Sequence, residues 1–247
     1  MLKFIILKMT LKIHRSEERG KSELDWLQSR FSFSFDRYYN PERKGFGKLL
    51  VLNDDIIAPK KGFGAHSHDN MEIITIPIEG ELIHRDSTGV EEIILPKEIQ
   101  VMSAGSGIVH SEYNNSNEKA LKLFQIWIET KEINIIPRHN KKRFELNDNS
   151  ITLVVSGKRE KDTLYIHQNA KISLGKLEKD HKIDYSSDKN QGTFIFIISG
   201  SLEIEDNLLN ERDSIEITEL DKLNITSLKD SYFIIIEVPL NKQKQNL

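Results

Sequence analysis

Apolar residues along this chain alternate with polar ones or form short runs, and they almost never repeat at helical spacing over ten residues or more. Glycine-rich turns such as Gly62-Phe-Gly64 and Gly105-Ser-Gly107 separate the runs. Many short strands with regular turns predict an all-β barrel or sandwich. The predicted strands are 31–35, 48–52, 71–78, 81–84, 91–95, 99–102, 121–128, 151–155, 163–166, 171–177, 193–198, 201–204, 214–217 and 232–238.

The strand pattern occurs twice, on either side of a polar segment around residues 137–149. Glu79-Gly-Glu-Leu82 in the first half and Ser199-Gly-Ser-Leu202 in the second have similar punctuation, which suggests a weak internal repeat and hence two tandem barrels. We expect an N-terminal barrel in residues 1–136, a linker in 137–149, a C-terminal barrel in 150–240 and a disordered tail in 241–247.

Composition excludes several classes of function. The chain has 247 residues and no cysteine, so disulfides, thiolate metal sites and nucleophilic thiols are absent. Its 35 Lys and Arg against 38 Asp and Glu give a net charge of -3, which does not favour direct binding to nucleic acid.

The apolar N-terminus is interrupted at Lys8 and Lys12, and no small-residue cleavage site follows it. This pattern favours a first strand, or a true start at Met9, over a secretory signal. No stretch approaches the roughly 18 apolar residues that a membrane span needs, so we expect a cytoplasmic protein with no membrane partner.

Two short motifs contain the candidate chemistry: His66-Ser67-His68 and His110-Ser111-Glu112. Residues two apart on an extended segment share one face, so each motif presents two polar side chains together. Three imidazole nitrogens and one carboxylate oxygen suit a first-row divalent metal. Glu72, close to the first motif, is an alternative carboxylate. His14, His84 and His139 stand alone and are expected to be structural or exposed.

Longer stretches around these motifs resemble known proteins. His66-x-His68 with Glu72 and Gly80 resembles the first cupin motif, and Gly107-x-x-His110-x-x-x-Asn114 resembles the end of the second. The wider sequence is similar to the pirin family, and most similar to its bacterial quercetinase-like members. The segments that show this are Trp26-Leu-Gln-Ser-Arg30, Phe33-Ser-Phe35, Tyr38-Tyr-Asn-Pro41, Gly45-Phe-Gly47, Val51-Leu-Asn-Asp54, Met71-Glu-Ile73, His84-Arg-Asp-Ser87, Gln100-Val-Met-Ser-Ala-Gly105 and His110-Ser-Glu112.

The resemblance implies a bicupin fold with one metal per chain, in the N-terminal barrel. By position, the ligands would be His66, His68, His110 and Glu112. Glu72 would then be structural or would support a ligand. The metal implied is iron, and the ligand set leaves nickel, cobalt, copper, manganese and zinc open. His167 and His181 form no comparable pair, so no metal is expected in the second barrel.

The resemblance also implies an activity: a quercetin 2,3-dioxygenase reaction that opens a flavonol ring with O2 and loses carbon monoxide. Glu112 would be the general base. One alternative is an iron-binding, redox-sensing protein that modulates a transcription-related protein partner. Another is a bicupin oxygenase or isomerase with an unknown substrate, because fold alone does not settle function.

Three positions depart from the family pattern or from ordinary strand chemistry. Pro96-Lys-Glu-Ile-Gln100 stands where relatives have Pro-Gly-Asp-Val-Gln, and we expect a shifted turn there. Arg212-Asp213 replaces a Gly-Asp turn. Pro77 lies inside an apolar run and predicts an edge strand or a bulge, because proline cannot donate to the ladder.

Overall fold

A computed structural model describes residues 10–188, 190–219 and 222–241 of the chain. The expectations about a start at Met1 or Met9 and about a tail at 242–247 lie outside these residues. Apart from a 3-10 turn at Ser16–Glu18, the regular structure of the described residues is all strand, which confirms the predicted fold class. No helix in this part of the chain has the length and apolar character needed to cross a membrane.

Nearly all of the strand pairs in the described residues are antiparallel, and consecutive strands often lie in different sheets. In chain order they are β1 (Thr10–His14), β2 (Gly20–Glu23), β3 (Leu27–Phe31), β4 (Leu49–Ile57), β5 (Gly62–His68), β6 (Met71–Glu79), β7 (Leu82–Asp86), β8 (Glu91–Ile94), β9 (Glu98–Ser103), β10 (Ile108–Asn114), β11 (Leu121–Glu129), β12 (Arg138–Arg143), β13 (Ser150–Ser156), β14 (Leu164–Tyr165), β15 (Lys171–Leu177), β16 (Lys182–Tyr185), β17 (Gln191–Ser199), β18 (Ser201–Ile204), β19 (Asn207–Asn210), β20 (Ser214–Thr218), β21 (Leu223–Ser227) and β22 (Ser231–Pro239).

The chain divides into two compact units. The N-terminal unit takes Arg19–Glu145 and Val154–Asn169, and the C-terminal unit takes the remaining described residues. In the N-terminal unit, a seven-stranded sheet of order β12-β9-β6-β11-β4-β3-β2 faces a four-stranded sheet of order β5-β10-β7-β8. A buried apolar cluster joins them, with Leu27 and Leu121 from the larger sheet and Leu82 and Ile94 from the smaller one.

The C-terminal unit has the same two-sheet arrangement. One sheet has the order β1-β20-β17-β22-β15-β13 and the other the order β16-β21-β18-β19. Its interior is filled by leucine, isoleucine and phenylalanine side chains, among them Leu202, Ile215, Ile225 and Phe233. The unit therefore has a continuous apolar core between its sheets.

Two boundaries differ from the expectation. β1 pairs with β20, from Thr10 opposite Thr218 to His14 opposite Ser214, so it belongs to the C-terminal unit and not to a barrel at 1–136. The expected linker contains β12, an edge strand that pairs with β9. Because ladder hydrogen bonds use the backbone, a polar sequence at a sheet edge can form a strand without any apolar pattern.

The first predicted strand is displaced. The sequence predicts a strand at 31–35, whereas β3 occupies Leu27–Phe31, with Leu27, Ser29 and Phe31 on its buried face. Phe33 is buried although it lies beyond the strand. An apolar side chain can enter the core from an irregular segment. The phenylalanine pattern therefore predicts a strand that begins and ends further along the chain than β3 does.

Pro77 lies at a bulge, as one of the two predicted options requires. β6 has neighbours on both sides, yet Pro77 faces Leu123 while Glu79 faces Lys122, which leaves one extra residue on β6. The bulge removes the need for a ladder hydrogen bond from the proline.

The turn at Pro96 is not shifted. Glu98 N–H donates to Leu95 C=O at 2.9 Å, and Lys97 has a φ of 71°. Proline at the second position and a positive φ at the third are typical of a type II turn, which normally places glycine where Lys97 stands. The turn is therefore of a type that normally takes glycine at this position, and Lys97 adopts it with backbone strain.

We expect Lys97→Gly to be more stable than Lys97→Ala by about 1 kcal/mol. A left-handed backbone costs an L-residue roughly 1–2 kcal/mol, and glycine avoids this cost. Part of the gain is offset because glycine loses more chain entropy than alanine on folding. Urea unfolding of the two variants measures this. Both lose the Lys97–Glu145 ion pair, so the difference isolates the backbone. Equal midpoints for the two variants would contradict a strained turn.

Candidate metal centre

Two adjacent strands of the smaller sheet bring the predicted histidines together. β5 and β10 are antiparallel, with His66 opposite His110 and His68 opposite Ile108. The ring centroids of His66, His68 and His110 are 4.4 to 4.9 Å apart. One nitrogen from each ring lies within 4.8 Å of the others. The period-two geometry predicted for these motifs is thus present.

Burial favours the neutral form of two imidazoles in this cluster, those of His68 and His110. Burial, followed by the charges of neighbouring histidines, lowers the pKa of His110 to about 2. Burial and His66 lower the pKa of His68 to about 4. Neutral imidazole is the form that binds metals.

Both ring nitrogens of His110 are buried without a hydrogen-bond partner in the described structure. Such orphaned nitrogens are costly unless something binds them. In His66, Nδ1 lies 2.7 Å from the Gly64 carbonyl oxygen and donates to it, which leaves Nε2 as a free acceptor. The donor set of this chain therefore fits a divalent cation.

Glu112 lies beside this cluster but in a second group. It follows a register shift in β10 after His110 and is 3% exposed. One of its oxygens lies within 4.8 Å of nitrogens from His84 and His110. The four predicted ligands thus fall into two overlapping groups that share His110.

Two hydrogen bonds hold the Glu112 carboxyl group. Gln125 Nε2 donates to Oε2 at 2.7 Å, and Thr75 Oγ1 donates to Oε1 at 3.3 Å. Burial raises the pKa of Glu112 to about 7, and these two donors only partly oppose it. The carboxyl can therefore exchange a proton near neutral pH.

A row of polar side chains crosses the larger sheet under Glu112. Asn53 is opposite Gln125, Gln125 is opposite Thr75, and Thr75 is opposite Gln100. Cross-strand partners share a face of the sheet, so this register aims the four side chains into the interior. Two members of the row, Gln125 and Thr75, bond to Glu112 and make its burial tolerable.

His84 belongs to this interior, although the sequence analysis treats it as an isolated residue. It is fully buried, its Nε2 bonds to Asp86 Oδ2 at 2.9 Å, and its ring stacks on His139 at 4.8 Å. On β7 it is the cross-strand partner of Glu112. Only the strand register reveals this, and no sequence motif signals it.

Glu72 points away from the cluster. Ile73 lines the cavity beside the histidines, and Thr75 reaches Glu112, so alternation sends the side chain of Glu72 to the other face of β6. There it accepts a hydrogen bond from Ser103 Oγ at 2.7 Å, and its Oε1 lies 3.6 Å from His167 Nδ1. His167, expected in the second barrel, lies in the N-terminal unit.

A cavity of about 600 Å³ opens on the three imidazoles. Its walls are rich in aromatic rings: Trp26, Phe31, Phe35, Phe63 and Trp127. Edge-to-face contacts fix several of these rings, including Trp26 on Phe63 at 5.3 Å and Phe35 on Trp127 at 5.4 Å. The volume is in the range of small-molecule sites.

Gly62 permits the close approach of the two motif strands. A Cβ atom at this position would lie 2.1 Å from the carbonyl oxygen of Glu112. Any larger residue would push β5 away from β10 and separate His66 and His68 from His110.

We expect Glu72→Gln to stabilise the metal-free protein above about pH 7. Burial raises the pKa of Glu72 from 4.5 to about 7, so the favourable contribution of the protonated carboxyl is lost as pH rises through that interval. The change corresponds to roughly 3 kcal/mol. Urea unfolding at about pH 5 and about pH 8 tests this, with the exposed Glu79→Gln on the same strand as control. A stabilisation that does not grow with pH would refute it.

We expect His66→Ala to weaken nickel(II) binding by more than about 100-fold, because the loss of a ligand exceeds the 10–100-fold cost of losing an outer partner. Competition with a chelator measures the affinity. His181→Ala, a histidine of the C-terminal unit, is the control. Equal affinities in the two variants would exclude this cluster as the metal site.

Comparison with known proteins agrees with the geometry. The Pirin family profile matches residues 12–128, and that of the quercetinase C-terminal cupin domain matches residues 153–238. A quercetin 2,3-dioxygenase of Escherichia coli K12 is 35% identical over 92% of this chain and 98% of its own length. A putative quercetin 2,3-dioxygenase of Zymomonas mobilis is 38% identical over 88% of this chain and 93% of its own.

Solved structures of similar proteins superpose on this chain over nearly its whole length. YhhW from Escherichia coli superposes with a TM-score of 0.91 at 34% identity, covering 95% of this chain and 100% of that one. Its complex with nickel(II), described as a bacterial pirin, superposes with a TM-score of 0.90 at 34% identity, covering 94% and 100%. Together with the histidine and glutamate cluster, these matches support a divalent metal. The predicted pair of cupin domains is confirmed, and the chain belongs to the pirin family.

Proposed function

We propose that this protein is a metal-dependent dioxygenase that opens the ring of a flavonol such as quercetin. The metal ligands would be His66, His68, His110 and Glu112. The observation that carries the proposal is the position of the imidazole cluster, which forms part of the wall of an aromatic-lined cavity. Relatives named quercetin 2,3-dioxygenase support it.

The cavity suits a flat aromatic molecule. Trp26, Phe63, Phe35 and Trp127 lie in its walls, and the ring of Trp127 also contacts His68 at 4.8 Å. A flavonol lying between such rings would be oriented by edge and face contacts and would exclude water from the imidazole cluster.

A divalent metal in this site, for which we propose iron first, would supply Lewis acidity toward the neighbouring hydroxyl and carbonyl oxygens of the flavonol. The protein's own part is proton transfer. Glu112, with a pKa raised to about 7, would accept the proton of that hydroxyl group. Gln125 and Thr75 would keep the carboxyl in place while it does so. The overall reaction would consume O2 and release carbon monoxide.

Quercetin turnover tests the proposal. Protein purified without oxygen is loaded separately with iron, nickel, cobalt, copper, manganese or zinc. Quercetin and O2 are then added, and the loss of flavonol absorbance and the release of carbon monoxide are followed. We expect turnover with at least one metal and none in His66→Ala, while His181→Ala retains the activity.

The general-base role has its own prediction. Glu112→Gln keeps the shape and an acceptor oxygen but cannot take up the proton, so we expect kcat to fall by about 10²–10⁴-fold. Metal content must be measured in the same samples, because Glu112 is also a proposed ligand. Full kcat at full metal occupancy would rule the base out. Tight metal binding without any turnover would instead favour the redox-sensing alternative.

A further inference from the structure

A polar patch interrupts the aromatic wall of the cavity. Asn53 and Asp55 lie two residues apart on β4 and therefore share a face, while Ser29 on β3 is opposite Asp55 and Gln125 on β11 is opposite Asn53. All four residues line the cavity and all are at most 7% exposed. They form one patch within the larger sheet of the N-terminal unit.

The patch presents acceptor oxygens that nothing in the described structure satisfies. Asn53 Oδ1 and Gln125 Oε1 are buried without a hydrogen-bond partner. The orientation of the Gln125 amide is fixed, because its Nε2 donates to Glu112. Ser29 Oγ donates to Oδ1 of Asp55, which keeps that carboxyl turned along the same wall.

Unsatisfied buried acceptors require a donor. Hydroxyl groups are among the donors that an uncharged organic ligand offers, and they are the donors that a flavonol carries. The remaining lining residues exclude an anion: none of those that the structure describes around this cavity is Lys or Arg, whereas Asp36, Asp55 and Glu112 are acidic. Away from the imidazole cluster, a ligand carboxylate would therefore meet acidic side chains and no Lys or Arg.

We propose that Asn53, Asp55 and Gln125 are specificity-determining residues that accept hydrogen bonds from the ring hydroxyl groups of a neutral polyphenol. The inference rests on the proposed flavonol oxidation and deepens it, because it identifies the hydroxylated ring system as the recognised feature. The reactive oxygens of the central ring would then face the imidazole cluster and Glu112, while the patch binds the hydroxyl groups of an outer ring.

The test compares quercetin, which carries several ring hydroxyls, with 3-hydroxyflavone, which keeps the reactive hydroxyl and carbonyl and lacks the others. The variant is Asn53→Leu, which keeps the branched shape of the side chain and removes the acceptor. Because Asn53 Oδ1 has no partner, this change should leave the thermal midpoint the same or higher. A change in ligand binding by Asn53→Leu therefore does not arise from a loss of folding stability.

We expect Asn53→Leu to raise the Kd and the KM for quercetin by about tenfold, the effect of one lost hydrogen bond, and to leave those for 3-hydroxyflavone unchanged. Anaerobic calorimetry gives the Kd without turnover. The control is Asp54→Asn, on the same strand but on the opposite face, where Arg19 bonds to it at 3.3 Å. Asp54→Asn should bind both flavonols as the unmodified protein does.

The outcomes separate the two proposals. If Asn53→Leu weakens the binding of both flavonols equally, or of neither, the recognition role of the patch is overturned. Normal quercetin turnover by the unmodified protein would still support the dioxygenase proposal in that case. Failure of the unmodified protein to bind or turn over either flavonol would overturn both. A selective loss for quercetin supports the patch as the specificity determinant.

Discussion

The hydrogen bonds from Gln125 and Thr75 to the buried carboxyl group of Glu112 are the interaction on which the site depends. A carboxyl group that is 3% exposed is costly to bury unless it is bonded. Glu112 comes from the smaller sheet and its two donors from the larger one, so these bonds also link the sheets. His110, two residues earlier on the same strand, is positioned by the same arrangement.

The two units show that one architecture can enclose two different interiors. In the C-terminal unit, isoleucine and leucine fill the space between the sheets, with Ile215 and Leu202 among them. In the N-terminal unit, part of that space holds imidazoles, amides and carboxyls, and burial shifts the pKa values of His110 and Glu112 in the directions that favour their neutral forms. The titratable and polar groups of the candidate site thus occupy space that apolar side chains fill in the C-terminal unit.

The sequence predicts the central strands of the two larger sheets well, because those strands are largely buried on both faces. It predicts no strand at β10 or β21, which lie inside the smaller sheets. β15 and β18 have the predicted bounds, and the histidine motifs lie on strands that share a sheet. It does not predict β12, because the polar side chains of that strand show no alternating pattern. It also does not predict the strained type II turn at Lys97. The sequence also does not place His84 and Asn53 in the candidate site, because both reach it through pairing with strands that are distant in sequence.

The pairing of β1 with β20 joins residues about two hundred positions apart. During synthesis, Thr10–His14 leaves the ribosome long before its partner Ser214–Thr218 does. The C-terminal unit therefore cannot close its sheet until β20 has been made, whereas residues 19–145 can begin to fold much sooner. Vectorial synthesis thus allows the N-terminal unit to fold first, while β1 stays without its sheet partner until β20 emerges.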